Sequence, residues 1–462
     1  MEQKQLTFAL FFGNRFVFSP AFIKDARREL AEAVEKAGHA CLIANESMTR
    51  YGAVETIQEA RLYADWLAAN RGRYDGVILC MPNFSDETGA AVALRDAGVP
   101  ILVQAYPDKL DKMDTAHRRD SFCGKFSIQD VFNQYKIPFT VFPPHCAHPL
   151  GPEFARNLRD FAAVCRVANG MKRFTLGAFG ARTTKFKTVR FDETTLEKYG
   201  ITVEAFDLSE VFARVDALPD DAPEVVQKAD ELKAYVACAP RTAGIRTLAK
   251  FAVILDRYIG EYGLNAIAFR CWSELGDRYG VSICPVMSML NEKGLAASCE
   301  VDVCTAVGMY ALQLATGKPA ACLDWNNNYG ADENKCILFH CGPVPKSLMK
   351  PGGSLVPNQL SGGNIGCYVG DIAEFTMTFS GCKTENGVLS FYMGEGEITG
   401  DPVDKAFFGA KGVAHIPNLS KKLIAMGRNS FRHHVALGCG RVQDILAEAF
   451  TTYLGYDIVD IG

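Results

Sequence analysis

Between residues 6 and 105, short apolar runs alternate with longer amphipathic segments, and this alternation leaves few folds open. Leu6–Phe12, His39–Ala44, Gly76–Met81 and Ile101–Ala105 are predicted strands; Ala21–Ala37, Thr56–Ala69 and Glu87–Ala97 are predicted helices. Gly38 and Gly98 stand where the first and third helices close, at positions that favour a left-handed residue. Strands that are apolar at nearly every position have no solvent face, so each must be covered on both sides. The pattern therefore predicts a parallel sheet between two layers of helices. No Gly-x-Gly-x-x-Gly follows the first strand, and a dinucleotide cofactor has no sequence support.

The same texture restarts near Lys172, with predicted strands in Phe174–Arg182, Ile201–Asp207 and Ala266–Trp272 and helices at Pro223–Tyr235 and Ile245–Ile259. After Pro343 it changes to short β-type runs separated by glycine-rich turns, the pattern of an antiparallel barrel or sandwich. The run from Ser361 to Asn364 lacks the lysine and the strand-to-helix setting of a phosphate loop and reads as a turn. A chain of 462 residues is too long for one ordinary core. The expected fold is α/β: two Rossmann-like parallel-sheet domains, residues 1–171 and 172–345, followed by a C-terminal antiparallel β-barrel domain, residues 346–462.

A net charge of −4 gives no electrostatic case for binding nucleic acid or an anionic membrane. The 16 cysteines are scattered through apolar runs without a Cys-x-x-Cys pair, which favours free buried thiols over a zinc ribbon or a disulfide framework. No apolar run approaches the roughly 18 residues of a membrane span, and the N-terminal run is short for a signal peptide. A cytoplasmic location is the expectation.

The chemistry concentrates between Ser298 and His340. Three apolar runs end on Glu300, Asp324 and His340, and ligands of open α/β sheets gather at strand ends. Asp302 lies two residues beyond Glu300 and shares its face in a strand, so alternation leaves the two acids as rivals. Later, His433 and His434 are adjacent and cannot both face one way. Oxygen and imidazole donors with no required thiolate suit Mn²⁺, with Mg²⁺, Co²⁺ or Fe²⁺ as alternatives. Such an ion grips neighbouring oxygens of a sugar while a carboxylate removes the adjacent proton, which is what aldose–ketose interconversion through a cis-enediol requires. Trp325 offers a face for a sugar ring and Asn326 a hydrogen-bonding group for its hydroxyls.

The sequence resembles the L-fucose isomerase and L-arabinose isomerase superfamily over most of its length. The resemblance is clearest in Thr175–Arg182, in Cys299–Asn328 and in Arg432–Gly438. It matches Glu300 and Asp324 to the family's metal-binding acids, which double as acid and base, and His433 to its late histidine ligand. His340 falls where arabinose isomerases carry a further ligand. The resemblance thus favours Glu300 over Asp302 and His433 over His434. It also implies a homotrimer or homohexamer in which the first domain of a neighbouring subunit supplies substrate contacts. Arg15 stands where arabinose isomerases have a substrate-contacting glutamine, and Cys123 near a family histidine. A cationic Arg15 points to an anionic or sulfonated monosaccharide. Other readings of the same residues are a catalytically silent sugar-binding or regulatory protein, and a metal-dependent epimerase or aldolase.

Overall fold

The computed structural model describes residues 4–236, 244–360 and 364–462, so most of the glycine turn at 361–364 lies outside the described residues. The chain divides into two compact units, one running to Asn169 and completed by Glu448–Gly455, the other built from Gly170–Ala447 and Tyr456–Gly462.

In the first unit, β1 (Thr7–Phe12), β2 (Ala40–Ile43), β3 (Gly76–Met81) and β4 (Ile101–Ala105) form a parallel sheet in the order β2-β1-β3-β4. Alternation along β1 sends Ala9 and Phe11 into one core layer with Tyr63, Leu67 and Phe132, and Phe8, Leu10 and Phe12 into another with Leu30, Phe154 and Phe161. Both faces are covered, which is why these strands read as unbroken apolar runs. The helix at Ile57–Ala69 begins on a capping box in which Thr56 and Glu59 satisfy each other's backbone N–H groups.

The second unit opens with another parallel sheet. β5 (Phe174–Phe179), β6 (Ile201–Phe206), β7 (Ala266–Phe269) and β8 (Ala296–Cys299) are arranged β6-β5-β7-β8. A large mixed sheet follows, built from β9 (Ala320–Tyr329), β10 (Asp332–His340), β11 (Ser354–Asn358), β12 (Asn364–Asp371), β13 (Phe375–Glu385), β14 (Val388–Thr399), β15 (Ala410–His415), β16 (His434–Cys439) and β17 (Asp457–Ile458). Its order is β11-β12-β15-β10-β9-β16-β13-β14-β17, and β15 pairs with β14 as well as β10. Most pairs are antiparallel, but β12–β15 and β14–β17 are parallel. The sheet includes β9 and β10, so it draws strands from both sides of residue 346.

β9 is longer than its apolar run. The sequence suggests an end at Leu323, but the strand continues through Asp324-Trp325-Asn326-Asn327-Asn328 to Tyr329 and turns at Gly330 into β10. Asn326–Asn328 are exposed there, so their polarity marks the solvated end of a hairpin. Among the described residues no helix is long and apolar enough to cross a membrane.

Candidate active site

Three local devices bring the acids and imidazoles of the second unit together. The first is the turn after β8. Glu300 and Val301 take φ values of 55° and 59°, and Asp302 then caps the helix Val303–Thr316 by accepting from Thr305 N at 3.0 Å. Left-handed backbone costs a residue with a Cβ about 1–2 kcal/mol, and a β-branched valine is among the least suited to it. The turn takes Glu300 off the strand path and aims its carboxylate into a cavity of about 500 Å³.

The second device is register. β16 runs antiparallel to β9 with His434 directly opposite Asp324, so the two side chains share a face. His434 Nε2 lies 3.4 Å from Asp324 Oδ1 and 3.6 Å from Glu300 Oε2. His340, the last residue of β10, places its Nε2 3.6 Å from the same Glu300 oxygen. Glu300 Oε2, Asp324 Oδ1 and His340 Nε2 are buried atoms without a hydrogen-bond partner in the structure. Leaving one such group unmatched costs about 1–3 kcal/mol, and here three face one cavity. Glu300 Oε2 and Asp324 Oδ1, each facing His434 Nε2, make an oxygen–nitrogen donor set of the kind that suits a divalent cation.

The third device sets the tautomers. Asp302 Oδ2 lies 2.8 Å from His434 Nδ1, so that nitrogen carries the proton and Nε2 keeps a free lone pair. His340 is arranged the other way. Its Nδ1 accepts the backbone N–H of Cys341 at 3.0 Å, which leaves the proton of a neutral ring on Nε2. His434 is therefore set to ligate, and His340 to donate.

Asp302 is fully buried and also pairs with the guanidinium of Arg432 and accepts from Thr305 Oγ1 at 2.7 Å. Burial alone would raise its carboxyl, but Arg432 and His434 hold it well below the usual carboxylate range. Burial likewise works to raise Glu300, while the His340 and His434 rings bring it down to about 2. Burial opposes charge on His434, but the bond to Asp302 outweighs it and the imidazole is raised. For His433, burial and then the neighbouring His434 lower it.

Of the residues singled out in the sequence, Glu300, Asp324, His340 and His433 all line the one cavity. His433 keeps 40% of its side-chain exposure, and its Nε2 lies 3.8 Å from Asp324 Oδ1, beyond His434. Trp325 and Asn326 line a separate surface cleft. One position past Asp324, Trp325 turns to the other face of β9, where its ring meets Phe379 edge-on and its N–H donates to Tyr392 Oη at 3.2 Å. Trp325→Phe is expected to cost about 1 kcal/mol in urea unfolding through that lost bond and to leave turnover unchanged; a tenfold loss of kcat would place Trp325 in the chemistry. Arg15 and Cys123 belong to the first unit. The Arg15 guanidinium pairs with Glu87, lies 4.2 Å above the Phe84 ring and donates from Nε to Ser85 O at 3.2 Å. Cys123 is exposed on the helix Ser121–Gln134.

Sequence reasoning did not find Arg432, nor the role of Asp302 beneath His434. The Asp-x-x-Thr spacing at 302–305 is a visible cap signal, but nothing local ties it to residues 432–434.

Comparison with known proteins places the chain in a family. The family model for the fucose/sulfoquinovose isomerase N-terminal domain matches residues 9–172, and that for the L-fucose isomerase C-terminal domain matches residues 338–462. A sulfoquinovose isomerase of Priestia aryabhattai is 23% identical over 405 residues, covering 86% of this chain and 87% of its own. One from Alkalicoccus urumqiensis is 23% identical over 66% of each chain. A third, from Clostridium sp. (strain MSTE9), is 26% identical over 44% of this chain and 43% of its own. The chain belongs to the fucose isomerase-like family. It is an aldose–ketose sugar isomerase.

Proposed function

We propose that the chain is a metal-dependent isomerase of a sulfonated hexose, working through a cis-enediol, with Mn²⁺ the favoured ion and Mg²⁺, Co²⁺ or Fe²⁺ alternatives. The observation that carries this reading is the convergence of Glu300 Oε2, Asp324 Oδ1 and the lone-pair nitrogen of His434 within 3.4–3.6 Å contacts. Those three residues would hold the ion. Bound there, it would polarise the sugar carbonyl and fix two vicinal oxygens. Glu300 and Asp324 take and return the proton that moves between neighbouring carbons. His340 Nε2–H donates toward the oxygen that gains negative charge, and Asp302 keeps His434 in its ligating tautomer. His433, at the more exposed side, hydrogen-bonds a substrate hydroxyl. The additional β14–β15 pairing supports a six-stranded barrel as the frame for β9, β10 and β16.

The sulfonate comes from the curated relatives, which are sulfoquinovose isomerases, and Arg15 is our candidate for its contact. In a homotrimer or homohexamer that contact would come from a neighbouring subunit, with Glu87 yielding the guanidinium to the sulfonate. Arg15→Gln is expected to reduce kcat/KM for the sulfonated sugar by about 10–100-fold, the value of one charge-assisted hydrogen bond, while sparing a neutral hexose. Equal losses on both sugars would remove Arg15 from sulfonate recognition.

The direct test supplies sulfoquinovose in heavy water to protein with and without Mn²⁺. We expect ketose formation with solvent deuterium incorporated next to the carbonyl, and its loss on chelation. Undiminished turnover in metal-free protein would overturn the metal-dependent reading. Metal binding should also depend on pH with a defined sign. Because the His434 imidazole is raised above its ordinary 6.5, protons compete with the ion for its Nε2 as pH falls. Mn²⁺ affinity should therefore climb with pH by up to about tenfold per unit and level off above the raised value. A flat profile in a pH series of Mn²⁺ titrations would show that no imidazole proton is displaced.

A further inference from the structure

Glu300 presents two different faces to the cavity. Its Oε2 looks toward His340 and His434, as described, but its Oε1 looks toward sulfur. Cys271 Sγ lies 3.6 Å from Oε1, and Trp272 donates its ring N–H to the same oxygen at 3.3 Å. Cys299, the last residue of β8, is brought alongside because β7 and β8 run parallel with Phe269 opposite Cys299, and Cys271 follows β7 by two residues. The two sulfurs and a Glu300 oxygen all lie within 4.8 Å of one another. Both cysteines are free and line the cavity, Cys271 partly exposed and Cys299 buried.

We propose that Cys271, Cys299 and Glu300 Oε1 form a second cation site, selective for a thiophilic divalent ion such as zinc or cadmium and separate from the oxygen–nitrogen site on Oε2. Ligand softness divides the two: thiolates favour borderline and soft ions, whereas two carboxylates and an imidazole suit manganese or magnesium. The spacing fits as well. A tetrahedral zinc with bonds of about 2.3 Å to sulfur and about 2.0 Å to oxygen sets those ligand atoms about 3.5 Å apart, against 3.6 Å between Cys271 Sγ and Glu300 Oε1. Water from the cavity completes the coordination. Capture is simple exchange: each thiol gives its proton to solvent as its sulfur binds the ion, the Trp272 hydrogen bond to Oε1 is released, and nothing is oxidised or reduced. Glu300 is then shared, and a cation on Oε1 repels a second one on Oε2. This inference does not rest on the isomerase reading, because it concerns binding alone.

The test is a cadmium titration of the full-length protein, followed by ultraviolet sulfur-to-cadmium charge-transfer absorption. The first equivalent should give a two-thiolate band that persists in the presence of excess Mg²⁺. Cys271→Ser should lower that band by about half and weaken cadmium binding by more than about tenfold. Cys299→Ser should do the same, and since its site is fully buried, circular dichroism establishes that it is folded. Cys322→Ser removes the thiol that lies against His340 and His434 and should leave the band intact. A band unchanged in Cys271→Ser, or abolished in Cys322→Ser, would overturn the proposal.

Discussion

Glu300→Gln is expected to leave a folded protein whose kcat has fallen by about 10³-fold or more, the scale lost when a positioned acid–base group is removed. The substitution keeps the shape of the side chain and changes its charge. With the Glu300 carboxyl held at about 2, the residue is an anion at any working pH, and the amide that replaces it neither accepts the migrating proton nor matches it as a ligand. Stability should move much less. The wild-type anion is buried and its Oε2 has no hydrogen-bond partner, so removing the charge relieves desolvation while it ends the attraction to His340 and His434. The two effects oppose each other, and the unfolding free energy should change by no more than about 1–2 kcal/mol. Circular dichroism, a urea titration and the rate of ketose formation separate the cases. A folded Gln variant with full activity would remove Glu300 from the mechanism, and an unfolded one would give the residue a structural role.

The contrast between Glu300 and Asp324 shows what was legible in the sequence. Glu300 does follow a strand end, where an apolar run stops and a helix signal begins, so one-dimensional reasoning reaches it. Asp324 was also reached as a strand end, yet it sits in the middle of β9, because the polar residues after it are strand residues facing solvent. The setting differs because the sequence reading assumes that a strand stops where its apolar run stops. The parallel sheets were readable because strands buried on both faces write a continuous apolar signal. The order of the mixed sheet was not, since the partner of each strand lies far away in sequence. The histidines follow the same logic. The family resemblance favours His433, but the register of β16 against β9 sets His434 between the acids and leaves His433 toward the exposed side. His433 precedes the strand and stays within reach of Asp324 beside His434, so strand alternation does not separate the two imidazoles at this position.

Asp302→Ala should have the largest effect on stability, because this one carboxylate serves three partners. Removing it leaves Arg432 buried without its anion, His434 Nδ1–H without an acceptor and the helix Val303–Thr316 without its cap. Breaking a buried ion pair from one side costs about 3–5 kcal/mol, and losing a helix cap about 1 kcal/mol. The losses overlap because they share one residue, but either end of that range is comparable with a total stability of about 5–15 kcal/mol. Asp302→Asn is the informative partner variant. Asparagine still caps the helix, so what it loses is the charge toward Arg432 and the fixed tautomer of His434. It should fold, with a weakened urea midpoint and Mn²⁺ affinity lower by about 10–100-fold, as for other groups that orient a metal-binding histidine. The pH dependence distinguishes charge from shape. The Asp302 carboxyl is depressed below its ordinary 3.8, so its contribution is complete above that value and is lost as pH falls toward the depressed one. The stability gap between wild type and Asp302→Asn should therefore be full at pH 7 and shrink in acid below about pH 4. A gap that stays constant through that range would mean that Asp302 acts by hydrogen-bond geometry alone, and that the charge on Arg432 is balanced elsewhere.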